Sequence, residues 1–298
     1  MGGLLGSLAH APNYCASRRD CYPGGRPPAR VRDLTLLGWA AYAVRHTQSE
    51  ADRMIPIRDL NPGLRRPVVS LLLIASVVAV YFLIQPADPV DEYEFLVEQA
   101  AIGCEISTNE AVSLEEIRSE LCVAGDGNPV FPEKSVPLSV LVSIFLHGGL
   151  AHLIGNVWSL WLFGNNVEDA YGRGGYLLLY LLSGIVATFG FVVLNPDSTA
   201  PLVGASGAIA GVMGAYFVLF PGARVLSIIP PIFIPFRMPA ALFLLLWLGA
   251  QFLLAGGTSA IAWEAHVAGF LFGMVVTLMF RRGLTARLAE RRDAAGFA

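Results

Sequence analysis

Among the polar side chains in and beside the long apolar stretches of this sequence, five have the types and places of acyl-transfer chemistry: His147, His152, Asn156, Ser206 and His266. Polar groups buried in apolar surroundings are expensive and tend to be functional. Ser206 lies in VGASGAIAGVMGAY, at the head of an apolar segment of only about 15 residues, 206–220. A serine at a helix N-terminus sits beside free N–H groups and the positive end of the helix dipole, and both favour a developing oxyanion. Its hydroxyl is a weak nucleophile until a neighbouring base removes the proton; His266, in AHVAGFLFG, is the candidate base. His152 and Asn156 are four apart, hence on one helical face. Together with the Ser206 backbone N–H they are candidates to hydrogen-bond that oxyanion. His147, ahead of Gly148 and Gly149, and the glycines Gly204 and Gly207 flanking the serine are supporting candidates.

Bringing Ser206 and His266 together falls to glycine. Gly207, Gly211 and Gly214 recur on one face of their helix, and Gly269 and Gly273 form a GxxxG pair on the face of His266. Small residues let transmembrane backbones approach closely, so packing these faces against each other brings the serine and the imidazole within hydrogen-bond reach. Taken alone, a serine in a glycine-rich helix is usually a packing residue, and a single histidine facing glycines can be a satisfied interhelical donor. The joint presence of His152 and Asn156 favours catalysis. The soluble hydrolase elbow G-x-S-x-G fails at Ala208, and no strand precedes the serine.

The elements that must hold these residues are membrane helices. Hydrophobic residues make up 55% of the chain and charged ones 14%, against about 25% charged in a soluble domain; the mean hydropathy is +0.59. Six apolar segments, 67–85, 149–166, 174–194, 206–220, 239–255 and 262–280, stand out against the roughly 20 residues that cross a hydrocarbon core. The expected fold is an all-α integral membrane bundle of six helices with a short central fourth. The short fourth helix implies that its N-terminus begins within the bilayer, tolerated only where the preceding backbone is buried in protein or faces a wet cavity. Arg281 and Arg282 are expected to stop the last helix at a membrane surface, and 227–239, apolar and broken by prolines, reads as an interfacial connector.

Arginines before the first segment, at Arg173, at Arg224 and Arg237, and after Arg281 all fall on one side, whereas the long loop 86–136 is acidic. Positive-inside logic then puts both termini in the cytoplasm. Residues 1–53 read as a disordered cytoplasmic tail, with Met54 as an alternative start, and 283–298 as a second tail; 54–282 is the membrane domain. Cys104 and Cys122 share the outer loop, where an oxidising compartment permits a bridge or leaves two thiols. Cys15 and Cys21 match no ordinary zinc spacing. No metal or other cofactor is expected, and nothing suggests a nucleic-acid site.

His147, His152 and Asn156, then GASGA around Ser206, then AHVAGFLFG around His266, resemble in type and order the rhomboid family of intramembrane proteases; NNVEDAYGRGGYLLLYLLSG at 165–184 is similar to the connection after the second helix in its bacterial members. The likeness runs from about Met54 to Arg282. It implies a Ser206–His266 dyad with no third carboxylate, a serine endopeptidase that cuts transmembrane segments of other membrane proteins near their outer ends, and an address in the bacterial plasma membrane. It also implies that Glu168 and Gly172 cap the second helix, and that bulky residues of the fifth, Trp247 among them, gate lateral access of substrate. Some family members place a tyrosine four residues after the serine to stack on the histidine; here Ala210 stands there. Glu264 reads as an interfacial cap, since at i and i+2 it points away from His266. The rivals are a rhomboid-like protein that binds membrane helices without cutting them, and a small transporter. The partners expected are transmembrane substrates and the lipid bilayer; the sequence is silent on oligomeric state.

Overall fold

The computed structural model describes residues 55–61, 63–123, 128–228, 234–254 and 262–294. The tail 1–53 with Cys15 and Cys21, the alternative start Met54 and the last four residues lie outside them. Six long apolar helical stretches carry the fold: α1 (Val68–Leu83), the two arms of a merged helix α6 (Leu150–Leu194) on either side of Gly172, α7 (Ser206–Leu219), α8 (Ala240–Leu254) and α9 (Trp263–Ala294). By length and composition α6 and α9 are long and apolar enough to cross a membrane. Gly172 takes φ 75°, a left-handed value that glycine adopts without penalty, and the chain reverses there.

The core is where α7 threads between α6 and α9. Every residue of α7 from Gly207 to Tyr216 is buried. Backbone touches backbone on the α9 side: a Cβ on Gly269 would strike the Gly207 carbonyl, one on Gly273 the Gly211 carbonyl, and one on Gly214 the Phe270 carbonyl. On the α6 side a Cβ on Gly207 would strike Ala187, and one on Gly211 would strike Ser183. Any larger residue at these positions would push the helices apart, so the glycine faces pack as their spacing predicts.

Three elements depart from expectation. The last helix runs through Arg281 and Arg282 to Ala294, because Arg, Leu, Ala and Glu are good helix formers; the arginines end its apolar part and leave the helix intact, so much of the expected tail 283–298 is helical. Second, short strands accompany the helices. β1 (Ile55–Asp59) pairs with β4 (Arg224–Ile228), which pairs with β5 (Pro235–Pro239), so the ends of the supposed connector 227–239 belong to a sheet. Asp59 fastens that sheet to the helices, its carboxylate accepting from the Tyr216 hydroxyl at 2.6 Å and the Asn166 amide at 2.7 Å. Burial pushes the Asp59 carboxyl above its ordinary value, against these hydrogen bonds. Third, Glu168 does not cap its own helix. Its carboxylate accepts from the Val69 and Ser70 backbone N–H groups and the Ser70 hydroxyl, and so caps the start of α1.

The loop 86–136 is a folded layer. Helix α2 (Pro89–Gln99) starts at Asp88, whose side chain accepts from Val90 and Asp91; strand β2 (Ala101–Ile102) and helix α3 (Gly103–Thr108) follow, and α4 (Leu114–Ser119) opens on a capping box of Ser113 and Glu116. Cys104 and Cys122 form a disulfide. Beneath it Lys134 and Glu105 make an ion pair of 2.5 Å with side chains 2% and 1% exposed. Burial pushes the Glu105 carboxyl up and the Lys134 ammonium down, each opposed by the other's charge. Helix α5 (Val136–Val142) then leads through a 3-10 turn to the loop before α6.

Candidate active site

Strand β3 (Pro201–Leu202) delivers the chain to α7, and its partner across the ladder is β2 of the layer after α1. Ser143 ties the two segments together: its hydroxyl accepts from Ala101 N–H at 2.6 Å and its carbonyl from Gly204 N–H at 3.0 Å. Gly204 has φ 124°, and a Cβ there would lie 2.7 Å from the His152 imidazole. Glycine is therefore required twice over, by backbone conformation and by the ring packed on it. After Ala205 the helix begins at Ser206, so its first backbone N–H groups have no intrahelical acceptor.

The Ser206 hydroxyl lies 2.8 Å from His266 Nε2. The other ring nitrogen, Nδ1, lies 2.8 Å from Gln251 Oε1 on α8. The Gln251 amide nitrogen in turn donates to the Trp247 carbonyl at 3.2 Å, which fixes the amide with its oxygen toward the ring. An oxygen there can only accept, so Nδ1 carries the proton and Nε2 offers its lone pair to the Ser206 O–H. Gln251 is 4% exposed, away from competing water. The Trp247 ring lies 5.8 Å from the His266 ring, tilted by 37°. The aromatic neighbour of His266 thus comes from another helix, and Ala210 is buried in the core.

His152 and Asn156 share one face of α6, one turn apart. The His152 ring abuts Gly204, and Asn156 is buried with its amide nitrogen lacking a protein partner among the described residues. A buried donor left open costs stability unless something accepts from it. His147 is fully buried outside the span, its ring edge-on to His152 at 5.2 Å. Its backbone is clamped by Gln85, which donates to the His147 carbonyl at 2.8 Å and accepts from its N–H at 3.0 Å. Glu264 accepts from the Asn195 side-chain amide at 3.1 Å, a contact between the end of the α6 arm and the start of α9 that caps neither backbone. Gly207 serves the α7–α9 contact.

Gln251, Gln85 and Ser143 escaped the sequence reading. Gln251 had a signal: it is the one side chain with a hydrogen-bond acceptor in AALFLLLWLGAQFLL, as conspicuous there as the histidines elsewhere. Gln85 and Ser143 sit at element ends, where polar residues are ordinary.

Known proteins resemble this chain over part of its length. The model of the rhomboid domain matches residues 135–283, half of the chain. The chain is 46% identical over 76 residues to rhomboid protease GluP of Bacillus subtilis, covering 26% of this chain and 14% of that protein. It is 30% identical over 154 residues to the mitochondrial presenilin-associated rhomboid-like protein A of Danio rerio, covering 49% and 38%. With the mitochondrial rhomboid protein 1 of Saccharomyces cerevisiae it shares 29% over 168 residues, covering 53% and 46%. The chain thus spans less than half the length of each of these relatives.

Proposed function

Because this chain belongs to the rhomboid family, we propose that it is an intramembrane serine endopeptidase whose nucleophile is Ser206 and whose base is His266. It is an all-α membrane protein in its main architecture, and we assign its six apolar helices as six crossings. The reading rests above all on the 2.8 Å contact between Ser206 Oγ and His266 Nε2.

The reaction proceeds in two halves. His266 Nε2 takes the hydroxyl proton as Ser206 Oγ attacks the scissile carbonyl carbon, and the carbonyl oxygen becomes an oxyanion. Donors aimed at that oxygen are the Ser206 backbone N–H, the Asn156 amide and the His152 ring. The C–N bond then breaks as His266 returns the proton to the leaving amine. Water, deprotonated by the same nitrogen, hydrolyses the acyl-enzyme and restores the serine. The polypeptide substrate is a transmembrane segment of another membrane protein, admitted laterally past α8. Trp247, facing His266, couples that helix to the base.

The relatives named for mitochondria and for a bacterium leave two compartments to choose from, and the arginine distribution leads us to the plasma membrane with both termini cytoplasmic and the dyad toward the outer side. Reporter fusions to the C-terminus and to the 86–136 loop test this; a cytoplasmic loop signal overturns it.

The activity is tested with purified protein and a fluorogenic transmembrane peptide. Ser206→Ala and His266→Ala are each expected to abolish cleavage, and Ser206→Ala to abolish labelling by a fluorophosphonate, with the helical circular dichroism unchanged. Undiminished turnover in Ser206→Ala rejects the mechanism, and an inert wild type with a folded spectrum favours the rival that binds helices without cutting them.

A further inference from the structure

At the end of the bundle opposite the dyad, three arginines converge where the two arms of α6 meet. Arg287 donates to the Tyr171 carbonyl at 2.9 Å, and Arg291 donates to the Asp169 carbonyl. Both guanidinium groups reach Gly172: a Cβ there would lie 3.7 Å from Arg291 Nη2 and 3.9 Å from Arg287 Nη1. The Arg291 guanidinium is pushed below its ordinary value by partial burial and by the positive charge of Arg65 and Arg287 beside it. The nearest carboxylate, Asp169, spends Oδ2 on the Leu64 backbone N–H at 2.6 Å. One acid against three cations leaves the cluster positive.

Capping the last carbonyls of a helix accounts for one N–H on each of Arg287 and Arg291. It does not account for the grouping. Arg287 and Arg291 are like charges at i and i+4, which repel, and Arg65 adds a third from another element. A guanidinium has five N–H donors in a fork suited to phosphate oxygens, so most of the cluster's donor capacity has no use in the helix caps.

Arg287, the member of the cluster nearest the bundle, lines the end of an apolar groove of about 520 Å³ between the second arm of α6 and α9, with Arg291 one turn further along the same helix. The groove walls include Leu178, Leu182, Phe272, Val276, Phe280 and Leu284. A Cβ on Gly283 would meet nothing within 4 Å, so the groove is open beside it. From Phe272 to Leu284 the wall runs roughly 18 Å along α9. Apolar length at membrane depth ending in a cationic cluster is the chemistry of a charged amphiphile.

We propose that the groove binds one anionic phospholipid, with an acyl chain between α6 and α9 and the phosphate held by Arg65, Arg287 and Arg291. The charge complementarity selects the anionic headgroup over a zwitterionic one, and the groove selects a lipid over a soluble phosphate. The site shares no residue with the dyad, so it stands or falls apart from the proteolytic assignment.

Native mass spectrometry of the detergent-purified full chain tests it, with phosphatidylglycerol and phosphatidylcholine of identical acyl chains as probes. One retained phosphatidylglycerol per chain is expected, preferred over phosphatidylcholine on the order of 100-fold for three surface arginines. Arg287→Gln combined with Arg291→Gln should lose the preference, and Val276→Trp, which fills the groove and keeps the arginines, should lose the lipid. Millimolar inorganic phosphate should displace nothing. Equal retention of the two lipids by the wild type overturns the proposal, and that comparison needs no variant to fold. Retention unchanged by both folded variants overturns it too, as does displacement by inorganic phosphate, which would make this a simple anion site.

Discussion

A glutamine whose nitrogen is tied to a carbonyl presents only oxygen to its other neighbour, and in this way Gln251 sets the tautomer of His266. Gln251→Ala is therefore expected to lower kcat about tenfold or more, part of the ~10²–10⁴ that positioned general-base catalysis contributes. KM should change little, since Gln251 is buried behind the ring; Gln251→Glu, which keeps an acceptor, should restore much of the rate. Steady-state kinetics in detergent decides, and a rise in KM with kcat unchanged would remove Gln251 from the positioning of the base. Asn156→Ala should lower kcat by roughly 10²–10³ with slow residual turnover, the loss typical of one oxyanion donor, because the Ser206 N–H remains. Ser206 and His266 were legible because a serine and a histidine amid glycine and leucine have few reasons to be there. Gln251 was equally exposed to that logic, yet an uncharged amide suggests no chemistry by itself. Its role follows only from α8 passing across the His266 ring, which no local spacing encodes.

Helices here are positioned by what their glycines lack. Replacing Gly273 by Leu forces a side chain into the Gly211 carbonyl; overpacking typically costs 1–3 kcal/mol, and here backbone has to move. The expected outcome is a lower thermal unfolding midpoint together with loss of fluorophosphonate labelling, since Ser206 and His266 ride on the two displaced helices. Gly222→Ala, at a position where a Cβ meets nothing, serves as the silent control. Apart from the end of α9, the starts and ends of the apolar helices were readable to within about five residues, because composition changes sharply at each. Two features were hidden. Arg281 and Arg282 look like a stop, but a helix need not end where its apolar face does, and α9 continues to Ala294. Glu168 looks like a cap for its own helix, whereas its carboxylate serves α1, about a hundred residues earlier, as the hydrogen-bond sequence separations of 98 and 99 record.

At the scale of the molecule, the acidic loop 86–136 showed its charge in the sequence and concealed its order, because its contacts are non-local. Breaking its buried ion pair on one side leaves a charge without a partner, so Lys134→Met should destabilise by about 3–5 kcal/mol, with Glu105→Leu in the same chain recovering most of the loss; denaturant titration of the reconstituted protein measures both. Reducing Cys104–Cys122, separated by 18 residues, should cost about 3 kcal/mol by the chain-entropy account, read as a drop in the unfolding midpoint. Through β2 and β3 that layer holds the turn before Ser206, with Ser143 hydrogen-bonding both Ala101 and Gly204. The turn is thus assembled from three stretches of chain separated by whole helices, and the candidate base comes from a fourth, α9. On the proposed dyad, a nascent polypeptide has no base beside Ser206 until α9 has been made and has docked, so a ribosome stalled before residue 266 would leave behind a serine without its partner.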